Sequence, residues 1–212
     1  MRFLITAGPT REPIDPVRYL SNRSSGKMGY ALAEAALAGG HEVTLVSGPV
    51  DLPAPPEAST RFVETAQEMF AAVEAEIKRA EVLICCAAVA DYRVAEIAGE
   101  KIKKSGDSLT LTLVPNPDIL GSARSVFGFK GFLVGFAAET EHVVAHARGK
   151  LERKGCDLLV ANDVSRSDIG FDRDENEVIL IWPDRPLETL ALRSKSEIAR
   201  QLIARIEDSL RG

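Results

Sequence analysis

The stretch FLITAGPTREPIDPVRYLSNRSSGKMGYALAEAALAGGHEVTLVS, residues 3–47, sets the architecture. Phe3 to Ala7 is a short apolar run almost without alternation, as in a strand buried on both faces. Gly26 to Ala38 reads as a helix of small and apolar residues, closed by the C-cap pair Gly39-Gly40. Glu42 to Ser47 is a second strand of the same buried kind. Strand, helix, strand is the unit of a parallel sheet covered on both faces, and the chain repeats it. Further strands are expected at Val82 to Ala87, Gly131 to Phe136, Asp157 to Ala161 and Val178 to Trp182. Helices are expected at Ala66 to Arg79, Pro117 to Ser125, Glu141 to Lys154 and Ser196 to Leu210. Asn116 is the expected N-cap of the second of these, with Pro117 at the first helical position. The fold class is therefore α/β, Rossmann-like and three-layered, with a mostly parallel sheet, and residues 1–212 form a single domain.

Between Val94 and Val114 the period changes to two. Leu109, Leu111 and Leu113 share one face, Thr110 and Thr112 the other, after the polar turn Ser105-Gly106-Asp107-Ser108. This reads as a protruding β-hairpin arm at about 94–114. An arm with one apolar face needs a cover, and a second copy of the chain, making a homodimer, is the expected one. Pro49 to Pro56 holds four prolines and reads as an extended loop.

Bulk properties exclude several classes. With 45% hydrophobic and 27% charged residues in 212, the chain can bury a sizeable core. A net charge of -5 gives no global field to gather nucleic acid. No apolar run approaches the roughly 20 residues that cross a bilayer, and Met1 leads straight into a strand rather than a signal sequence, so a cytoplasmic protein is expected. The three cysteines, Cys85, Cys86 and Cys156, are odd in number and lack a CxxC spacing, which points to buried thiols rather than zinc or disulfides.

Chemistry gathers in a few segments. The connection from Gly8 to Gly29 is long for a compact domain, and such loops are often functional. Its end, Ser24-Ser25-Gly26-Lys27-Met28-Gly29, resembles GxGxxG with serine in the first glycine place, so backbone amides opening the helix could hold an anion. A Walker A motif would need glycine at 21 and Ser or Thr after Lys27, where the sequence has Ser21 and Met28. A dinucleotide fold would want an acid closing the second strand, where the sequence has Val46-Ser47-Gly48. A phosphate cradle is thus preferred, while a nicotinamide-dependent reductase and a non-catalytic nucleotide sensor remain as alternatives. Ala87 to Arg93, AAVADYR, follows a strand end where ligands collect, and Asp91 could hold a divalent cation or merely cap a helix. Lys101, Lys103 and Lys104 on the arm could neutralise phosphates or simply face solvent. His142 and His146 are spaced i, i+4 without a third metal ligand and read as helix surface. Lys150 and Lys154 either complement a helix C-terminus or reach a ligand.

The segments GPTREPIDPVRYLSNRSSGKMG, AAVADYR, EKIKK, NPDIL, VGFAAET and ANDVS, in that order, resemble the bacterial phosphopantothenate-cysteine ligase family over nearly the whole chain. The resemblance implies a CTP-dependent ligation with Mg2+. The carboxylate of 4'-phosphopantothenate would attack the α-phosphorus of CTP, and the amine of cysteine would then displace CMP from the acyl-cytidylate. By matching position, Asn22 would handle the acyl-cytidylate, Arg18 would assist with the acidic substrate and Lys101 would contact the nucleotide in the second half-reaction. Asp91 would lie at the CTP and cation site. Cys85, Cys86, Ala87, Pro117, Asp118, Ile119, Leu120, Phe136, Lys150 and Lys154 would line the CTP pocket. The family's homodimer uses the arm, and its bacterial members are commonly fused behind a flavin-dependent decarboxylase, which implies such a partner, fused or separate.

Overall fold

The computed structural model describes residues 1–104, 106, 108–139, 141–163 and 174–211. Ser105, Asp107, Thr140, Val164 and Ser165, all within segments singled out above, lie outside the described residues. The strands are β1 (Arg2–Ala7), β2 (Arg11–Pro13), β3 (Tyr19–Ser21), β4 (Glu42–Ser47), β5 (Ser59–Phe62), β6 (Val82–Cys85), β7 (Tyr92–Val94), β8 (Leu113–Pro115), β9 (Phe132–Glu139), β10 (Leu158–Asp163), β11 (Glu175–Ile181) and β12 (Glu188–Ser194). The helices are α1 (Lys27–Ala38), α2 (Ala66–Glu76), α3 (Ile119–Ser125), α4 (Val143–Lys154) and α5 (Lys195–Arg211), with a 3-10 turn, Ile77–Arg79, continuing α2.

An eight-stranded sheet in the order β12-β11-β10-β9-β6-β1-β4-β5 forms the middle layer. Strands β5 to β10 along that order are parallel, and only the β10–β11 and β11–β12 pairs at one edge are antiparallel, so β11 alone runs against the rest. Central strands must be apolar on both sides, so β1 is buried from Phe3 through Ala7. Its alternation sends Phe3, Ile5 and Ala7 toward α1 and α5, and Leu4 toward α2, α3 and α4. Helix α5 presents Ile198, Ala199, Leu202, Ile203 and Ile206 as one buried stripe over the first layer. Sequence and structure thus agree on three layers and on six of the eight main strands. The other two, β5 and β12, are edge strands with mostly exposed or half-buried residues.

Several boundaries move for local reasons. Helix α3 begins at Ile119 with Asp118, not Asn116, as its N-cap, and Asp118 Oδ1 accepts from the Gly121 amide at 2.8 Å. Asn116 is engaged elsewhere: its Nδ2 donates to Ala90 O at 2.9 Å and its amide to Asp91 O at 2.8 Å. Helix α4 starts at Val143 behind His142, which has a left-handed φ of 46°, and stops at Gly155 with φ 62°. The strand expected to reach Ala87 ends at Cys85, because the Ala87 amide turns to Thr6 Oγ1 at 3.2 Å. The arm is laddered only at its base, where β7 pairs with β8 and the Ala95 amide adds a bond to Thr112 O. Beyond it Leu109 and Leu111 form no described ladder, and Leu109 and Leu113 are exposed.

The ligand-bearing edge follows from strand order. From β1 the chain steps to β4 on one side and later returns to β6 on the other, so a crevice opens at the carboxyl ends of β1 and β6. Helix α1 can start there because Gly29 admits it: a Cβ on Gly29 would sit 2.5 Å from Ala7 Cβ and 3.0 Å from Ala7 Cα. Alanine at 29 gains about 1 kcal/mol of helix propensity but overpacks a contact fixed by backbone, at a cost of about 1–3 kcal/mol. Urea unfolding of Gly29→Ala is expected to show a net stability loss of up to about 2 kcal/mol.

Candidate functional site

A cleft of about 600 Å³ occupies this crevice. Its walls are the Ser24–Gly29 turn into α1, the loop from Cys85 to Asp91, the Asn116–Leu120 turn into α3, the end of β9, and lysines from α1, α4 and α5.

The turn into α1 combines two glycines that are far apart in sequence, Gly8 and Gly26. Gly8 and Gly26 have φ of 76° and 78°, a left-handed backbone that glycine adopts without strain. A Cβ on Gly26 would lie 3.3 Å from Gly8 Cα, so the two turns stack against each other. Gly8 therefore fills in space the first glycine place that the sequence motif lacks, and residues 9–25 are an excursion inserted between the glycines. Among the described residues no side chain caps α1, so its opening amides are oriented donors at a positive helix end.

The Cys85–Asp91 loop is pinned by buried threonines. Ala87 N–H donates to Thr6 Oγ1 at 3.2 Å, Ala90 N–H to Thr10 Oγ1 at 3.0 Å, and Ala88 N–H to Gly8 O at 2.9 Å. The Ala88 carbonyl in turn accepts from Asn22 Nδ2 at 2.9 Å, which holds Asn22 against the cleft. Cys85 and Cys86 line the cleft half-buried. Burial pushes the Cys86 thiol up to about 12, opposed by the Lys195 charge, and burial with Cys156 nearby also raises Cys85. These thiols are neutral walls rather than nucleophiles.

On the far face, Lys154 pairs with Asp118 and Lys150 Nζ donates to Phe136 O at 2.9 Å. Burial pulls the Asp118 carboxyl upward, but hydrogen bonds from Lys154 and the Gly121 amide and the charges of both lysines prevail, leaving it below its ordinary value. Glycine at 121 permits this cap, since a Cβ there would lie 2.4 Å from Asp118 Oδ2. On the near face stand Lys27, Lys195, Asn162 and Asn176. Lys195 is only 6% exposed, and Asn162 Oδ1 is buried with no hydrogen-bond partner among the described residues.

Of the residues expected at the site, Asn22, Cys85, Cys86, Ala87, Asp91, Pro117, Asp118, Ile119, Leu120, Phe136, Lys150 and Lys154 converge on the cleft. Arg18 and Lys101 do not line it. Arg18 is bound to Asp15, and Lys101 is exposed on the arm. His142 and His146 are exposed with ring centroids 5.9 Å apart, and no cluster of metal-binding side chains occurs among the described residues. Sequence reading missed Lys27, Lys195, Asn162 and Asn176 as cleft residues. One signal was present: Lys27 and Lys195 are the first residues of α1 and α5, where the helix dipole disfavours a cation.

Asp118 offers a direct check on these electrostatics. In Lys154→Gln the burial remains while the largest lowering contact goes, so the Asp118 midpoint followed by carbon-detected NMR is expected to rise. A depressed carboxylate adds stability that is lost as pH falls from its unfolded value through its folded value, so in this variant the contribution is smaller and its loss is complete at a higher pH.

Residues 1–210 match the family described as the DNA/pantothenate metabolism flavoprotein C-terminal domain. The chain is 52% identical over 207 residues, 97% of its length, to the coenzyme A biosynthesis bifunctional protein CoaBC of Vibrio vulnificus strain YJ016, and 50% identical over 209 residues to that of Escherichia coli strain K12. It spans about half (51%) of the length of each of these relatives. A crystal structure of the C-terminal domain of CoaBC superposes with a TM-score of 0.84 at 41% identity, covering 99% of this chain and 95% of that one. The flavoprotein of this description from Streptococcus pneumoniae gives 0.85 at 26% identity, covering 99% of both chains. The chain belongs to the DNA/pantothenate metabolism flavoprotein C-terminal domain family.

Proposed function

We propose that this chain is a CTP-dependent ligase of coenzyme A biosynthesis, joining the carboxylate of 4'-phosphopantothenate to the amine of L-cysteine. The observation that carries the reading is the single cleft with lysines on both sheet faces and free helix amides between them. That arrangement suits a polyphosphate better than a nicotinamide. At the end of β4, where a dinucleotide fold would offer a ribose-binding acid, Ser47 is buried and its Oγ bonds Tyr30 Oη at 3.0 Å.

A carboxylate is a poor acyl donor until its oxygen becomes part of a good leaving group. In the first step the substrate carboxylate oxygen bonds to the α-phosphorus of CTP and pyrophosphate leaves. In the second the cysteine nitrogen bonds to the acyl carbon, the bond to CMP breaks, and the amine gives up a proton. The chain's contribution is positioning and charge neutralisation. Lys150, Lys154 and the amides opening α3 and α1 face the nucleotide, with Cys85, Ala87, Pro117, Ile119, Leu120 and Phe136 enclosing it. Asn22, held by Ala88 O, handles the acyl-cytidylate, and Lys101 serves the second step from the arm. Mg2+ would neutralise phosphate oxygens. The cleft's carboxylates are Asp91 and Asp118, and Asp118 is committed to Lys154, so Asp91 would hold the ion with the phosphates supplying its other ligands.

A homodimer through the arm belongs to the same reading. Its support is the exposure of Tyr92, Ile97, Leu109 and Leu113 on or beside the arm. The flavin-dependent decarboxylase, fused or separate, is the proposed supplier of the next step, and a cytoplasmic location follows from the pathway. Among the described residues no helix is long and apolar enough to cross a membrane.

Pyrophosphate release is expected to require both CTP and 4'-phosphopantothenate together; a chain that leaves CTP unconsumed in that mixture has another function. Asn22→Asp is expected to retain pyrophosphate release while amide formation drops, so that acyl-cytidylate accumulates in quenched samples. Equal loss of both steps would remove the role given to Asn22.

A further inference from the structure

The excursion between the glycines does more than carry Asn22. Its β2–β3 turn grips the arm. Ala98 N–H donates to Ile14 O at 3.0 Å, Ile102 N–H donates to Asp15 Oδ2 at 3.1 Å, and Ile102 O accepts from Arg18 Nη2 at 2.7 Å.

Asp15 is the centre of this joint. Its carboxylate is 3% exposed as a residue and accepts on both oxygens. Oδ1 takes the amides of Val17 and Arg18, each at 2.9 Å, which is the ordinary duty of an aspartate in a tight turn. Oδ2 takes Arg18 Nε at 3.0 Å and Nη2 at 2.5 Å besides the Ile102 amide. The turn alone would need only the first oxygen. The second is spent on the guanidinium fork and on the arm, and the same fork closes on the Ile102 carbonyl.

Ile102 is the neighbour of Lys101. At the other end of the excursion Ser21 Oγ donates to Thr10 O at 2.7 Å and Asn22 Nδ2 donates to Ala88 O. One short, doubly anchored segment therefore sets the arm's main chain and the cleft's asparagine in a common frame.

We propose that Asp15 is a positioning residue that, through Arg18, latches the arm at Ile102 and so registers Lys101 against Asn22 and the nucleotide. This rests on the reading that Lys101 acts in the second half-reaction. It also gives Arg18 a place: the guanidinium holds the arm through Asp15 rather than standing in the cleft.

The test is a double-mutant cycle on the full chain with Asp15→Asn and Lys101→Gln. Asparagine keeps the shape but turns one oxygen into a donor facing the Arg18 and Ile102 donors, so the latch opens. Asp15→Asn is expected to slow amide formation on the order of ten- to a hundredfold, as misplaced catalytic groups do, with pyrophosphate release little changed. The double variant is expected to be no slower than Lys101→Gln, because a latch for a missing side chain has nothing left to position. Amide hydrogen exchange at Ile102 should accelerate in Asp15→Asn and not in Lys101→Gln.

Multiplying losses in the double variant, or equal slowing of both half-reactions by Asp15→Asn, would overturn the latch. If Lys101→Gln turns over like the parent, the role of Lys101 has failed and the catalytic consequence of Asp15 with it, while unchanged exchange at Ile102 would overturn the structural joint itself. Should Asp15→Asn not fold, Arg18→Lys makes the same test, since an ammonium cannot span Asp15 and the Ile102 carbonyl with one planar fork.

Discussion

The whole site depends on how closely α1 can approach the end of β1. Gly29 lies against Ala7, Gly26 against Gly8, and Gly48 fills the third side, where a Cβ would fall 1.8 Å from Pro9 O. With any larger side chain at these places the helix would stand off the sheet, and its opening amides would point past the crevice rather than into it. The energetic content of the contact is steric, so it has no distance range in which to compromise. Charge then builds on that geometry: amides at the centre, Lys27 and Lys195 on one face of the sheet, Lys150 and Lys154 on the other.

The second constraint is electrostatic. A net charge of -5 means that the cleft must make its own positive potential, and it does so with cations held by structure. Lys154 is fixed by Asp118, Lys150 by a main-chain carbonyl, Lys27 by Asp174 at 2.7 Å. These pairs hold the lysine heads in place at the cleft wall.

The layers were legible because buried strands have few options: Phe3–Ala7, Val43–Ser47 and Val82–Cys85 are buried along most of their length on both sides and read as apolar runs. The edge strands β5 and β12 were not, since STRF and ETLALRS pack on one side or less and look like loop or mixed surface. Asn116-Pro117 carried a proper capping pattern, but Asn116 was claimed by the Ala90 carbonyl, a partner that only the fold supplies. The glycine motif was half legible. Gly26 and Gly29 stood together, while Gly8 reached them across an insertion of 17 residues, a distance at which spacing rules are silent. Lys195 and Asn176 come from the two sides of β12, and nothing short of the completed sheet edge places them at the cleft. Of the fourteen residues to which the resemblance pointed, twelve line the cleft, while Lys101 stands on the arm and Arg18 faces Asp15 and the arm, a relation between segments that no single motif encodes.

Helix α5 carries one more implication. It packs on α1 and supplies a large share of the buried stripe over that face, with Glu207 bonded to His41 at 2.7 Å beside the first strand. Within this domain the first helix in chain order, α1, is thus roofed by the last, α5. During translation the apolar side of α1 stays bare until the 17 residues of α5 have emerged, so this layer closes late and the nascent domain is most vulnerable to aggregation before it does.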